Sequence, residues 1–220
     1  MKNTKFHISE IFPSIEGEGK RTGYMSTFVR FTGCNLRCSY CDTTYALHMG
    51  EDDSEVLTED ELIDRIKSYP WKKITLTGGE PLLHDVKSLI QRLSFSGYEI
   101  NIETNGAVPL MKMRYANMFY TMDWKCPSSN ENHRMLKENL KLLTRHDVLK
   151  FVVGCRRDLD EMKQIISEFT YERPRFYVSP VFGEIEPKDI VEYVKENKLT
   201  NVCVQVQLHK IIWNPNERGV

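Results

Sequence analysis

Seven short runs rich in β-branched and aromatic residues recur along the chain: STFVRF (26–31), KITLT (73–77), YEINIET (98–104), NMFYTMD (117–123), VLKFVVG (148–154), RFYVSP (175–180) and VCVQVQ (202–207). Amphipathic stretches separate them, and this alternation constrains the fold more than any other feature. Strand, helix, strand repeated about six times means right-handed βαβ crossovers and a mostly parallel sheet. The clearest helix starts at TEDE, where Thr58 and Glu61 have capping-box spacing and Leu62, Ile63, Ile66 and Tyr69 share a face. Asp158 opens another, with Leu159, Met162, Ile165, Ile166 and Phe169 at helical spacing, and 84–96, 130–144 and 187–198 also read as helices. Such stripes face the core. A closed eight-fold barrel takes about 250 residues. With 220 residues and six or seven strands, the chain is expected to form a partial, splayed barrel in one domain, residues 1–220, since no Ser/Gly/Pro-rich linker divides it. Chemistry in such a fold belongs at the C-terminal strand ends and the loops after them.

Charge and hydropathy exclude some classes. Lys plus Arg (30) and Asp plus Glu (31) nearly cancel, which argues against nucleic acid or an anionic membrane as partner. The opening MKNTKFHISEIF lacks the apolar run of a signal peptide, and no stretch approaches the roughly 20 apolar residues of a membrane span, so a cytoplasmic protein is expected. Three of the six cysteines, Cys126, Cys155 and Cys203, are scattered and read as packing residues.

The other three lie within TGCNLRCSYCDTTYAL (32–47), directly after the strand 26–31. Thiolates suit zinc or iron–sulfur clusters. A closed zinc site takes four protein ligands, for which His48 is the nearest supplement; a four-iron cluster on three thiolates would leave one iron open for chemistry. TLTGGEP (75–81) ends its strand with two glycines, either a close approach of backbone to a ligand or a plain turn. IETNG (102–106), DWKCPSS (123–129) and SPVFGE (179–184) close later strands. Arg30 is a charge near the end of an apolar strand, suited to bidentate recognition of a carboxylate or to snorkelling outward.

The CxxxCxxC triplet Cys34, Cys38 and Cys41, with Tyr40 before the last cysteine, resembles the cluster loop of radical S-adenosylmethionine enzymes. The ordered set EIFPSIEGEGKRTGYMSTFVRFTGCNLRCSYCDTTYA, TGGEPLL, IETNG, KCPSS and QVQLHK is similar to the 7-carboxy-7-deazaguanine synthases over nearly the whole chain. The resemblance implies a partial (β/α)6-like TIM barrel of the radical S-adenosylmethionine type. It implies a [4Fe-4S] cluster on Cys34, Cys38 and Cys41, whose open iron chelates S-adenosylmethionine, and Mg2+ on Thr43. Cofactor contacts are implied from Tyr40, Cys41 and Asp42 on the adenine side, from Gly78, Gly79 and Glu80 at the methionyl amine, and from Thr104, Asn105, Asp123, Trp124, Lys125 and Ser179. Substrate contacts are implied from Ile15, Glu16, Gly17, Arg30 and Thr77.

The implied reaction is the ring contraction of 6-carboxy-5,6,7,8-tetrahydropterin to 7-carboxy-7-deazaguanine with loss of ammonia, on the route to queuosine and related deazapurines. Hydrogen is taken from C6 and returned, so S-adenosylmethionine is regenerated. A flavodoxin- or ferredoxin-like electron donor and a homodimer are the implied partners; the acidic run GEDDSEVLTED (50–60) reads either as a docking loop for the donor or as a solvated face. The chain departs from the family pattern at Glu16, where relatives carry Gln, at Asp123-Trp124-Lys125, where many show Ser-Pro-Lys, and in the tail HKIIWNPNERGV. Two other readings compete: a glycyl-radical-enzyme activase with the same cluster and cofactor, and a zinc-stabilised binding module.

Overall fold

A computed structural model describes residues 4–49, 54–169 and 174–220. Among them nine strands form one sheet: β1 (Lys5–Ile15), β2 (Met25–Phe31), β3 (Glu55–Thr58), β4 (Lys73–Gly78), β5 (Glu99–Thr104), β6 (Met118–Lys125), β7 (Val148–Val153), β8 (Arg175–Pro180) and β9 (Val202–Val204). Their spatial order is β3-β1-β2-β4-β5-β6-β7-β8-β9. From β2 to β9 every neighbouring pair is parallel, while β1 runs antiparallel to both β2 and β3. Six helices join or follow the strands: α1 (Glu59–Lys67), α2 (Lys87–Phe95), α3 (Lys137–Leu140), α4 (Arg156–Ser167), α5 (Pro187–Glu196) and α6 (His209–Ile212). From β1 onward this order rises through the sequence without closing, which is the mixed α/β architecture of a splayed barrel.

All seven expected strands are present, and β1 and β3 add an antiparallel edge that periodicity did not reveal. In β1 the alternation is interrupted where the register shifts between Ile8 and Glu10. The expected helix over 130–144 shrinks to α3. The chain before it turns at Pro127–Ser129, leaves that turn through Asn130 at φ 63°, and turns again at Asn132–Arg134. The buried Asn139 amide then donates to the carbonyls of Gly106 (3.0 Å) and Val108 (2.9 Å), and its Oδ1 accepts from Leu110 N (3.0 Å), tying this segment to the connection that follows β5. That connection, 105–117, contains no helix. Part of the acidic run, residues 50–53, lies outside the described residues.

Period-two alternation gives the sheet two unlike faces. Ile74, Leu76, Ile100, Ile102, Tyr120, Met122, Leu149, Phe151, Phe176 and Val178 point outward into one apolar core with Leu62 and Ile66 of α1, Leu89 and Leu93 of α2, Leu159 and Met162 of α4, and Ile190 of α5. The capping box at Thr58 and Glu61 forms as expected. The alternate positions, Thr75, Thr77, Asn101, Glu103, Thr121, Asp123, Lys150 and Ser179, give a polar interior.

The β1–β2 loop floors that interior. Arg21 donates to the carbonyls of Ile74 (3.0 Å) and Glu99 (3.1 Å) at the starts of β4 and β5, while Gly19 exchanges hydrogen bonds with the Gln205 side chain beyond β9 (2.8 and 3.2 Å). Cys126 is buried, as a packing residue should be. Cys155 and Cys203 are exposed instead, one at the cap of α4 and one on the edge strand β9.

Candidate active site

β2 ends at Phe31 and the chain enters the cysteine loop through Gly33, alongside the end of β4. Gly78 has φ +117°, which L side chains rarely adopt, and a Cβ on Gly79 would strike the Gly33 carbonyl. Bare glycines let the backbones close up, with Gly79 N donating to Phe31 O (2.9 Å) and Glu80 N to Gly33 O (2.8 Å). Arg37 Nη1 binds the carbonyls of Cys34 (2.8 Å) and Leu36 (2.7 Å), and Arg134 Nη1 binds that of Asn35 (2.7 Å). Asn105 Nδ2 donates to Asn35 Oδ1 (2.8 Å) and lies 3.7 Å from Cys34 Sγ. So held, Cys34, Cys38 and Cys41 are free, half-buried thiols on the wall of one cavity. Burial raises the Cys34 thiol above its ordinary value and takes Cys38 up to about 11 against the pull of Lys125.

The cavity, about 270 Å³, lies at the C-terminal end of the sheet's polar face. Deeper in it, Lys150 Nζ is 3.2 Å from Glu18 Oε2 and 3.3 Å from Asp123 Oδ1, and Lys125 Nζ is 2.7 Å from Asp123 Oδ2. Ser179 Oγ and Gln207 Nε2 also donate to Glu18. Burial works against every charge here, yet the two lysines hold Asp123 below its ordinary range, Lys150 and Ser179 do the same for Glu18, and the carboxylates raise both lysines. Glu103 differs. Burial raises its pKa, Lys150 opposes, the Glu16 charge adds to the rise, and Thr77 Oγ1 donates to it at 2.8 Å. Glu80, behind the glycines, accepts from Thr104 Oγ1 (2.8 Å), Asn105 N (2.7 Å) and Leu82 N (3.0 Å), and burial still pushes it to about 7.

Ile15, Glu16, Gly17, Arg30, Cys34, Cys38, Tyr40, Cys41, Asp42, Thr43, Thr77, Gly78, Gly79, Thr104, Asn105, Asp123 and Lys125 all come together on this wall. Three residues singled out in the sequence stand back from it. Glu80 lies beneath the glycines, Ser179 reaches the cavity through Glu18, and Trp124, out of phase with Asp123 and Lys125, faces the helix layer, where its Nε1 donates to Glu161 (3.2 Å). Glu16 Oε1 is already engaged, accepting from Arg21 Nη2 and Thr75 Oγ1, each at 2.5 Å. His48 is exposed and off the wall. Among the described residues no three His, Cys, Asp or Glu side chains converge as a single-ion cage requires.

The cavity also includes residues to which the sequence assigned no contact: Glu18, Glu103 and Lys150, then Gln207, His209 and Lys210 of the QVQLHK stretch, and the tail residues Gly219 and Val220. The C-terminal segment packs over the mouth. Leu208 N donates to Gly17 O (3.1 Å), the His209 ring occupies the space a Cβ on Gly17 would need, and Lys210 Nζ pairs with Asp42 at 3.0 Å. Burial raises the Asp42 carboxyl, but Lys210 and the Thr43 hydroxyl, 3.1 Å away, outweigh it and bring it to about 2. A charge inside an apolar strand, the signal that marked Arg30, also marks Lys150 and Glu103.

The donor set fits a cluster: three half-buried soft thiols on one pinned loop, facing a cavity. Comparison with known proteins agrees. Residues 28–149 match the Radical SAM superfamily. A 7-carboxy-7-deazaguanine synthase from Clostridium acetobutylicum is 46% identical, with 98% of this chain and 99% of that one covered. Another from Koribacter versatilis is 35% identical, with 97% and 99% covered. The crystal structure of QueE from Escherichia coli shares the fold, with a TM-score of 0.76 at 23% identity over 92% of this chain and 94% of that one. The chain therefore belongs to the 7-carboxy-7-deazaguanine synthase family of the radical S-adenosylmethionine superfamily, which uses a [4Fe-4S] cluster and S-adenosylmethionine.

Proposed function

We propose that this protein converts 6-carboxy-5,6,7,8-tetrahydropterin to 7-carboxy-7-deazaguanine with release of ammonia, a step towards queuosine and related deazapurines. The observation that carries the reading is one cavity uniting the three thiols, the bare glycine edge and a charged floor. With a cluster and S-adenosylmethionine bound, the site would supply reversible hydrogen abstraction at C6 of the pterin. Cys34, Cys38 and Cys41 hold the cluster. The Gly78–Gly79 edge lets the cofactor lie against backbone, and Tyr40, its hydroxyl 3.4 Å from Val152 O, offers a ring face to the adenine. Cofactor contacts from Asp42, Thr104, Asn105, Asp123 and Lys125 belong to the same reading.

Arg30 anchors the substrate carboxylate. Glu10 Oε2 holds its Nε at 3.1 Å, and the guanidinium lies beside the rings of Phe12 and Tyr45. Ile15, Glu16, Gly17 and Thr77 line the pterin side. Glu103 extends that set, its raised pKa suiting it to hold a proton against the pterin edge. Mg2+ binds few protein ligands and keeps waters, so the Thr43 hydroxyl, 3.1 Å from Asp42 Oδ1, would hold it at the cavity wall.

The test is anaerobic reconstitution, reduction, and addition of the carboxypterin with Mg2+. The expected result is the deazaguanine product with far less than one 5′-deoxyadenosine per turnover. An intact cluster with bound S-adenosylmethionine and no product would end the substrate assignment. A flavodoxin- or ferredoxin-like donor, a homodimer and a cytoplasmic location complete the proposal; sedimentation tests the dimer. No helix of the described residues is long and apolar enough to cross a membrane.

A further inference from the structure

The segment after β6, whose residues 127–134 do not line the cavity, clamps the cysteine loop. Ser39 donates from N and Oγ to the carbonyls of Ser129 (3.1 Å) and Ser128 (2.6 Å). The clamp is itself rooted in α4, where the buried Asp158 accepts from Ser128 N (2.9 Å) and Gly154 N (2.8 Å). At its centre is Glu131, 9% exposed, whose Oε1 accepts the Arg37 amide at 2.6 Å while Ser129 Oγ holds its own amide at 3.0 Å. Arg37 lies between Cys34 and Cys38, so this bond fixes a peptide inside the triplet. Glu131 makes no ion pair among the described residues, since the guanidiniums of Arg37 and Arg134 are spent on carbonyls of Cys34, Leu36 and Asn35.

A fixed carboxylate beside a group that gains an electron disfavours the reduced form, and the effect is large where water is excluded. We propose that Glu131 is a positioning residue for the cluster, fixing the Arg37 peptide between two cysteines and lowering the cluster's reduction potential by its charge. The inference rests on the cluster reading of the three thiols.

The experiment compares reconstituted wild type, Glu131→Gln and Glu131→Ala by iron and sulfide content, chelator challenge and an EPR-monitored redox titration, with the thermal melt of each apo chain as the folding control. Gln keeps the amide acceptor without the charge. Glu131→Gln should retain full iron and reduce more readily by about tenfold, equivalent to about 59 mV for one electron. Glu131→Ala should show the same shift and lose iron to chelator several-fold faster. Glu131→Gln titrating at the wild-type potential, or failing to hold iron, overturns the role assigned to Glu131, and it decides the matter if Glu131→Ala does not fold. Wild type that takes up no four-iron cluster overturns the cluster reading instead.

Discussion

The two faces of the sheet are built on opposite principles. On the outer face Ile74, Leu76, Ile100, Ile102, Leu149 and Phe151 are fully buried against helices, and their contacts are numerous, weak and without direction. On the inner face Lys150, Glu18, Asp123 and Lys125 are held in a chain of ion pairs in which each charge is tolerated because of the next. An outer side chain can shrink by a methyl group and lose only that group's packing. An inner one cannot lose its charge without leaving a partner buried and unpaired. The outer face therefore tolerates small losses of packing, and the inner face depends on keeping its charges matched.

The sharpest break of this contrast is Lys150→Met against Ile102→Val, two substitutions on neighbouring parts of the same sheet. Removing the ammonium strands Glu18 with only the neutral donors Ser179 and Gln207 and leaves Asp123 to Lys125 alone. Urea unfolding at pH 8 should show a loss of about 4 kcal/mol for Lys150→Met and about 1 kcal/mol for Ile102→Val. The Lys150→Met deficit should shrink at pH 5, where the stranded carboxylates more readily take up protons. Equal losses at both sites would mean that the inner charges are solvated and the two faces alike.

The outer face was legible because its physics is periodic. Period two in ITLT and INIET and the helical stripes at Leu62–Ile66 and Leu159–Ile166 are repeated local signals. β1 and β3 were not legible, since an antiparallel edge depends on a partner distant in sequence. The inner face was half legible. Arg30 stood out as a charge in an apolar strand, and Lys150 and Glu103 carry the same mark. Trp124 was grouped with its neighbours as one motif, although strand alternation separates it from Asp123 and Lys125. The tail stood out in the sequence as QVQLHK and as a departure from the family pattern, but its contacts did not, because Lys210 reaches Asp42 and His209 reaches Gly17 only through the folded chain.

Glu80 sharpens the comparison from the boundary between the faces. Its carboxyl is moved from 4.5 to about 7 by burial, which outweighs the donors Asn105, Leu82 and Thr104. Between those values the folded chain keeps a proton that the unfolded chain has released. The contribution to stability is full below about pH 4.5 and is lost as pH rises through 7, by about 3 kcal/mol at 1.36 kcal/mol per unit. Glu18 and Asp123, with lowered pKa values, act in the opposite sense at lower pH. The informative quantity is therefore the difference between wild type and Glu80→Gln, measured for the apo chain from pH 5 to 8. Wild type should fall relative to the variant across that range, and a flat difference would place Glu80 in a better-solvated setting than its burial indicates.

The smallest effect on stability separates the faces most finely. Thr77→Val keeps the shape of a strand residue and deletes the hydroxyl that donates to Glu103 Oε2 at 2.8 Å. On the outer face such a swap would concern packing alone. Here the lost donor had lowered the Glu103 pKa, so its removal should let that pKa rise further. Because Glu103 opens onto the cavity, water can replace the hydroxyl, and the loss of stability should be about 0.5 kcal/mol, at the low end for a hydrogen bond. The change should appear instead in the pH profile of product formation, with the limb that reports Glu103 moving to higher pH while the profile of Ile102→Val keeps the wild-type form. A Thr77→Val profile that matches wild type would assign Glu103 no proton-dependent part in turnover, and would leave Thr77 as one more β-branched residue on a strand.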